Sequence, residues 1–507
     1  MSTGWRELTV LLSELLQPLF AYQCNENADV AVLDIQTNSR RVHPGSLFVA
    51  VPGHTVDGHD FAPSAVESGA VALLVERRIP DLTVPQVVVP DTRRAAALLA
   101  DVLYGHPSHK LRMIGVTGTN GKTTVTHIIA HVLETAGKQT GLLGTVGGRI
   151  GAETFPLQNT TPEAVDVHGY LQRMVDAGCS HGVMEVSSHA LVERRVAGVD
   201  YKIAVFTNLT QDHLDFHKTM EDYAQAKRLL FARLGNLYAS TRENNTYAIV
   251  NQDDPYRDVM LDATVAQSLT YGCSAGADVR AEHIRLTHNG TMMDVITPCG
   301  HMEVTTSLIG RFNVYNVLAA IAVGIVEQIP FDVMREALQS YPGVPGRCER
   351  VDAGQPFGIF VDYAHTPDGL ENVLTSVREF ASGDVITVVG CGGDRDKTKR
   401  PLMAAIAMRH SDFAIFTSDN PRTEDEVAIL DDMVQGIPPG ADHYLRCTDR
   451  REAIYAAVGR AKPGDVVVIA GKGHEDYQII GRTKVHFDDR QEARAAVQAR
   501  GTTTEQV

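Results

Sequence analysis

Hydrophobic and polar positions divide the chain into three stretches of different texture. In the first hundred or so residues, short apolar runs alternate with turns, and "GSLFVAVPG" at 45–53, "GAVALLVE" at 69–76 and "VPQVVVPD" at 84–91 predict strands. The run "TRRAAALLADVLYG" predicts a helix, and "HPSHK" at 106–110 reads as a linker. Strands and helices then alternate: "RMIGVTG", a helix from Thr123, "QTGLLGTV", "HGVMEVSS", "KIAVFTN" and "TYAIVNQDD" at 246–254. Such alternation predicts a mostly parallel sheet covered by helices on both faces. Past the Pro and Gly residues of "YPGVPGR" at 341–347, a third block carries the apolar runs "FGIFVDYAH", "DVITVVGCGG", "DFAIFTSDN" and "DVVVIAGKG". Continuous rather than alternating apolar runs suit strands buried on both faces. All four end in small, polar or charged residues, at the strand ends where open α/β sheets bind ligands.

The expected fold class is therefore α/β with three domains, 1–110, 111–343 and 344–507, the second a P-loop ATPase-like parallel sheet and the third Rossmann-like. Composition agrees with a globular chain, 44% hydrophobic and 21% charged. A formal charge of −16, from 62 acidic against 46 basic side chains, argues against broad nucleic-acid binding or adhesion to an anionic membrane. Any anionic ligand must be met by a local basic site. Seven scattered cysteines without a CxxC pair indicate neither a disulfide framework nor a zinc site. The first twenty residues are broken by Glu7, Glu14 and Pro18 and lack a basic start and a small-residue cleavage site, and no apolar run approaches the roughly 20 residues that span a bilayer. A cytoplasmic monomer with no membrane insertion is expected.

The strongest chemical signal is "GVTGTNGKTT" at 115–124, between a predicted strand and a helix. Gly118 and Gly121 would let the backbone N–H groups of Thr119, Asn120 and Thr124 approach phosphate oxygens, Lys122 would reach the terminal phosphates, and Thr123 could hold Mg²⁺. The strict spacing would put a glycine at 116, where Val116 stands; the glycine is Gly115. ATP is the expected ligand. "HGVMEVSSHAL" delivers Glu185, Ser187, Ser188 and His189 at a strand end, and Glu185 could bind Mg²⁺ or simply be solvated. "FTNLTQDHLDFH" clusters Asp212, His213, Asp215 and His217, of which a metal role and an ordinary surface or core role are both open. Lys227 in "AQAKRLLF" reads, from spacing alone, as a solvated side chain on a helix. Asn313 and Asn316, three apart at a helix start, either cap it or present paired amides to a ligand. The four strand ends of the last block bring Arg395, Lys397, Lys399, Arg422 and Lys472 together with Asp362, His365 and Glu475, which predicts a binding site.

"TGTNGKTT", "EVSSH", "TNLTQDHLD", "GRFNVYN", "VPGRCE", "DYAHTPD" and "GKGHE", in this order across almost the whole chain, resemble the Mur ligase family. The resemblance implies an ATP-dependent ligase that adds an amino acid to a nucleotide-linked peptide precursor, through an acyl phosphate that the incoming amine attacks. "DIQTNSRRVHPGSLFVAVPGHTVDGHDF" is similar to members that add the third residue to UDP-MurNAc-L-Ala-D-Glu, and "DNPR" to those that take meso-diaminopimelate rather than lysine. It further implies that Thr123 and Glu185 hold one Mg²⁺, and that His213 and Lys227, the latter carbamylated, serve a second. Asn313, Asn316, Arg347 and Asp362 would lie around ATP. The UDP precursor would touch Thr37, Ser39, His54, Thr55, Val56, Asn159, Thr160, Thr161, Ser187, Glu193 and Arg195. Diaminopimelate would touch Arg395, Asp419, Asn420, Pro421, Arg422, Gly471 and Glu475. Two departures stand out: the segment before Gly45 is one residue longer than the family pattern, and Glu193 replaces a common glutamine, placing an acid near an anionic substrate. The alternatives are a lysine-adding or folylpolyglutamate synthase-like ligase, a P-loop kinase, and a nucleotide-regulated switch protein.

Overall fold

A computed structural model describes residues 9–24, 29–53, 56–235, 245–287 and 289–504. The chain forms two compact units, Met1–Thr270 with Ala322–Ile329, and Tyr271–Ile321 with Pro330–Val507. Among the described residues no helix is long and apolar enough to cross a membrane.

Besides a two-stranded antiparallel pair, Val10–Leu11 with Ala31–Val32, the first unit contains two larger sheets. One has the order Gln23–Cys24, Gln86–Val88, Ala72–Val75, Ser46–Val49, Asp34–Gln36, parallel but for its antiparallel first strand. Alternate residues feed its two faces: Leu47, Val49 and Leu74 join one cluster, and Phe48, Leu73 and Val75 the other. The helix Thr92–Leu103 covers the first of these with Ala95, Ala96 and Leu99, and Asp91 caps it by accepting Arg94 N–H at 2.9 Å. The expected linker at 106–110 is instead a 3₁₀ turn, Pro107–Lys110, docked into the unit: Ser108 is buried and its hydroxyl accepts Asp200 N–H at 3.1 Å.

The other sheet of this unit runs Glu153–Phe155, Gly147–Ile150, Thr140–Gly144, His181–Glu185, Arg112–Thr117, Tyr201–Phe206, Tyr247–Asn251, Gln267–Gly272. Its five strands Thr140–Gly144, His181–Glu185, Arg112–Thr117, Tyr201–Phe206 and Tyr247–Asn251 are mutually parallel, as the alternation predicts, and Gly147–Ile150 and Glu153–Phe155 add antiparallel at the edge. The chain leaves Arg112–Thr117 toward one side, then returns to place Tyr201–Phe206 on the other. The carboxyl end of Arg112–Thr117 is thus a topological switch point, where α/β sheets bind ligands.

The second unit begins with an antiparallel meander that the sequence reading did not anticipate, Val279–Thr287, Gly290–Thr297, Gly300–Thr306. Its principal sheet runs Glu349–Arg350, Gly358–Asp362, Val466–Ala470, Val385–Cys391, Phe413–Ser418, Tyr444–Arg446, parallel except at the first pair. The four expected apolar strands are its centre. Phe360, Val389 and Phe416 pack on one face with helices Pro367–Arg378, Lys399–His410 and Glu426–Val434. Ile359, Val361, Val388 and Ile415 pack on the other with Arg450–Arg460 and Asp489–Thr504.

Candidate active site

Gly118 and Gly121 sit at φ 145° and 85°, and Gly121 opens the helix Lys122–Thr135. A Cβ on Gly118 would lie 1.9 Å from Thr207 Oγ1, so only glycine fits. Gly115, by contrast, belongs to the strand, where a methyl would meet Tyr201 Cε1 at 2.8 Å; its role is packing. The loop is tied to the next strand end: Asn208 O accepts Thr119 N–H at 2.8 Å, Asn208 Oδ1 accepts Asn120 N–H at 2.9 Å, and Thr207 Oγ1 donates to Asn120 O at 2.7 Å. Lys122 Nζ donates to Gly118 O at 3.0 Å and Thr119 O at 2.7 Å, over the loop it serves. Thr124 is buried just behind it.

Lys227 is not the solvated side chain that its spacing suggested. It is 1% exposed, donates to Gly118 O at 2.7 Å, and its ammonium lies 4.4 Å from the Tyr223 ring centroid. Burial, reinforced by the charge of Lys122, holds its pKa well below that of an ordinary lysine. His213, at φ 54°, stands edge-on to His189 at 4.9 Å, and burial lowers its pKa. His217 joins His189 at 5.5 Å and Ser188 Oγ at 2.8 Å, and burial holds it down at about 4.

Glu185 is buried at the end of its strand inside a ring of threonines. Thr123 Oγ1 donates to Oε2 at 3.1 Å, Thr145 N–H to Oε1 at 2.7 Å and Thr145 Oγ1 to Oε2 at 3.1 Å. Thr160 and Thr145 hydroxyls are 3.1 Å apart, and Thr161 Oγ1 donates to Glu185 O at 2.9 Å. The solvated alternative for Glu185 is therefore set aside. Thr145 was missed because nothing local distinguishes it. The hydroxyl of Thr123 and the carboxylate of Glu185 are hard oxygens that fit Mg²⁺. Among the described residues no group of three or more His, Cys, Asp or Glu is arranged to hold a metal. The amine of Lys227, as a donor to Gly118 O, is no Mg²⁺ ligand unless it is modified.

The remaining residues of this unit are spread over three loops. Thr37 is exposed just past Asp34–Gln36, and Ser39 opens the turn Ser39–Arg41, capped by Asn38. Val56 is 53% exposed, and His54 and Thr55 lie outside the described residues. Asn159 is exposed, whereas Ser187 is held in place, its hydroxyl accepting Ala190 N–H at 3.2 Å. Glu193 does not present a bare charge: Arg195 pairs with it at 2.6 Å, contacts Glu163 at 3.1 Å, and donates to Thr161 O at 3.1 Å.

In the second unit, Asn313 and Asn316 are buried side by side. Asn316 Nδ2 donates to Asn313 Oδ1 at 2.9 Å, and Asn313 Nδ2 to Ile309 O at 2.8 Å. Asp362 is also buried, accepts Cys348 N–H at 2.6 Å and Ala364 N–H at 2.7 Å, and has its pKa raised by burial against the pull of Arg347. The Arg347 guanidinium lies 4.9 Å from the Tyr363 ring centroid, and Tyr363 packs on His365 at 4.6 Å and His474 at 5.2 Å.

The strand ends Phe413–Ser418, Val385–Cys391 and Val466–Ala470 assemble the last group. Arg422 sits past Pro421 at φ 52°, fixed by its N–H to Ile479 O at 3.0 Å and by Gly481 N–H to its carbonyl at 2.7 Å. Its Nη1 donates to Gly393 O at 2.7 Å, and Arg395 donates to Asp394 O at 3.0 Å. No carboxylate among the described residues forms an ion pair with either. Asn420 Nδ2 donates to Glu475 Oε2 at 2.9 Å, and Gly471, at φ 114°, donates to Asp362 O at 3.1 Å. The five cations do not form one pool: Lys397 pairs with Glu424 at 3.0 Å, Lys399 donates to His365 O at 2.7 Å, and Lys472 is fully buried between Asp419 and Glu475. The hairpin Tyr477–Ile480 with Thr483–His486, which holds Arg422, gave no signal in the sequence reading.

Comparison with known proteins gives three domain matches: "Mur ligase family, catalytic domain" over residues 33–104, "Mur ligase middle domain" over 116–324 and "Mur ligase, glutamate ligase domain" over 346–473. A Geobacillus thermodenitrificans protein named UDP-N-acetylmuramoyl-L-alanyl-D-glutamate–2,6-diaminopimelate ligase is 54% identical over 97% of this chain and 100% of its own. A Bacillus cereus protein of the same name is 51% identical over 94% of this chain and 95% of its own. A solved structure of an enzyme of that name superposes with a TM-score of 0.71 at 33% identity, over 97% of this chain and 99% of the other. Half the residues shared over nearly the full length, with the phosphate loop and polar strand ends in place, leave one conclusion: the chain belongs to the Mur ligase family.

Proposed function

We propose that the chain is an ATP-dependent amide ligase that joins meso-diaminopimelate to UDP-MurNAc-L-Ala-D-Glu in peptidoglycan precursor synthesis, releasing ADP and phosphate. The observation that carries this reading is the strand-end pocket of the second unit. It offers carboxylates, Asp419 and Glu475, beside a guanidinium, Arg422, with which no carboxylate among the described residues forms an ion pair. The distal end of diaminopimelate, an ammonium and a carboxylate on one carbon, matches that pattern, whereas lysine lacks the carboxylate. Relatives more than half identical over nearly the whole chain carry the same activity in their names.

ATP binds through the backbone of Gly118 to Thr124, with Lys122 turning from the loop carbonyls to the terminal phosphates. The D-glutamyl carboxylate of the precursor attacks the γ-phosphorus, the bond to the β,γ-bridging oxygen breaks, ADP leaves and an acyl phosphate forms. The diaminopimelate amine then adds to the acyl carbon, the tetrahedral intermediate expels phosphate, and the amine loses its proton. Negative charge builds first on the transferring phosphoryl group and then on the tetrahedral oxygen, and Lys122 stabilises it electrostatically. Thr123 and Glu185 would hold Mg²⁺, which would supply charge neutralisation to the phosphates. A low pKa favours the neutral amine of Lys227, the form that adds to CO₂, so a carbamate there would give the oxygen that His213 needs beside it to serve a second Mg²⁺. Asn313, Asn316, Arg347 and Asp362 serve the nucleotide. The precursor engages Thr37, Ser39, His54, Thr55, Val56, Asn159 to Thr161, Ser187, Glu193 and Arg195, the last two as a pair. Gly471, Asn420, Pro421 and Arg395 complete the amino-acid pocket. The working division is 1–110 for the precursor, 111–343 for ATP and 344–507 for the amino acid. Seven free cysteines suit a reducing cytoplasm.

The test is phosphate release from ATP with the UDP-linked dipeptide and diaminopimelate, lysine or neither. Release should require both the dipeptide and diaminopimelate. A phosphorylated product accumulating without an amino acid would point to a kinase and refute the ligase, and equal release with lysine would refute the assignment of the amino acid.

A further inference from the structure

Lys472 lies between Gly471 and Gly473, at φ 114° and 51°. The loop is pressed so closely on its surroundings that a Cβ on Gly473 would approach Tyr363 Cβ to 2.6 Å. The side chain of Lys472 is consequently 0% exposed, and a ligand in the pocket cannot touch it. Its ammonium donates to three groups: Asp419 Oδ1 at 3.2 Å, Asn420 Oδ1 at 3.1 Å and Glu475 Oε2 at 3.4 Å. These are residues of the proposed amino-acid pocket, drawn from two strand ends. Asn420 closes the set by donating to Glu475 Oε2 at 2.9 Å while its own carbonyl oxygen accepts Ile479 N–H at 2.9 Å.

A buried cation shared by two carboxylates holds them at a separation that mutual repulsion would otherwise widen. It also sets the local charge: two carboxylates and one ammonium leave a single negative charge, which one incoming ammonium neutralises. We propose that Lys472 is a positioning residue that holds Asp419, Asn420 and Glu475 in register and fixes the charge of the pocket at the value that accepts one ammonium. The proposal rests on the reading that this pocket takes the distal centre of diaminopimelate. Lys472 would therefore act on amino-acid recognition and leave ATP and the UDP precursor alone.

Steady-state kinetics of four full-length proteins test it: wild type, Lys472→Met, Glu475→Gln and the double variant. Lys472→Met leaves two net negative charges, Glu475→Gln none, and the double variant restores one. Each single variant should raise KM for diaminopimelate about tenfold or more, with KM for ATP and for the UDP-dipeptide within about twofold of wild type. The double variant should bind diaminopimelate better than either single one. Because that comparison includes Glu475→Gln, it stands even where Lys472→Met fails to fold. A merely structural lysine would move all three KM values or kcat alike and give no recovery in the double variant, and that result overturns the proposal. A wild type whose phosphate release ignores diaminopimelate overturns the reading of the pocket instead, so the two failures are distinguishable.

Discussion

At the scale of single residues, the proposed discrimination between diaminopimelate and lysine rests on Arg422. A planar guanidinium can meet a carboxylate with two parallel hydrogen bonds, which an ammonium cannot reproduce. Arg422→Lys should lower the kcat/KM preference for diaminopimelate over lysine by about 10- to 100-fold, the worth of one charge-assisted contact of about 1.5–3 kcal/mol. An unchanged ratio would show that Arg422 reads something else. Lys227 poses the opposite problem, a buried amine whose pKa is held low. Lys227→Ala should cost about 100-fold or more in turnover, with partial recovery on adding short carboxylates that mimic the carbamate. Full activity in the plain variant would remove the carbamate from the mechanism. Glu193 and Arg195 illustrate how a doubtful residue acquires a role from its partner, since the acid that looked out of place is held at 2.6 Å by a guanidinium that it shares with Glu163.

At the scale of elements, the strand ends of the second unit are held by buried cations. Arg450 opens the helix Arg450–Arg460 behind the cap Asp449 and is wholly buried with Asp489. It donates to Asp489 at 2.7 Å, to Ser418 O at 3.4 Å and to Ala470 O at 2.9 Å, joining the last residues of the two parallel strands that flank Val385–Cys391. Arg450→Met strands a buried carboxylate and should destabilise the unit by about 3–5 kcal/mol, whereas adding Asp489→Leu should return much of it. Urea titrations of both variants measure this, and equal losses would mean that the carbonyl contacts matter more than the pair. The neighbouring loop is sensitive to acid. Burial, with the charges of Arg347 and Arg490, holds His474 at about 4 instead of 6.5. Below pH 6.5 the unfolded chain takes up a proton that the folded unit refuses until about 4, so this contribution to stability is present above 6.5 and lost on acidification to about 4. His474→Asn should flatten the slope of stability against pH in that window; an unaltered slope would place the proton elsewhere.

At the scale of the molecule, each compact unit carries its own hydrophobic clusters. Thermal unfolding should therefore depart from a single two-state transition, with a calorimetric enthalpy above the van 't Hoff value. Every residue proposed to bind diaminopimelate lies in the second unit. At about 100 times its dissociation constant the amino acid should stabilise that unit by about 2.7 kcal/mol and leave hydrogen exchange in the first unit unchanged. Equal protection of both units would contradict the localised pocket.

The sequence by itself determined whatever contiguous residues encode. The phosphate loop was legible because glycine, lysine and threonine must follow one another between a strand and a helix. The four apolar strands were legible because burial on both faces leaves uninterrupted hydrophobic runs. Family resemblance then named residues that spacing could not, Lys227 above all. The meander Val279–Thr287 to Gly300–Thr306 escaped notice although its alternation is visible, since strands with one solvated face carry a weaker signal. Tertiary structure alone decided which charges are free and which are spent. Thr145 reaches Glu185 across 40 residues and Lys472 reaches Asp419 across 53, and no window along the chain contains both partners. Burial is a property of the assembled layers, so only they could show that Arg422 is half-buried and bonded to a backbone carbonyl while Lys472, another cation at the same edge of the sheet, is fully buried between two carboxylates.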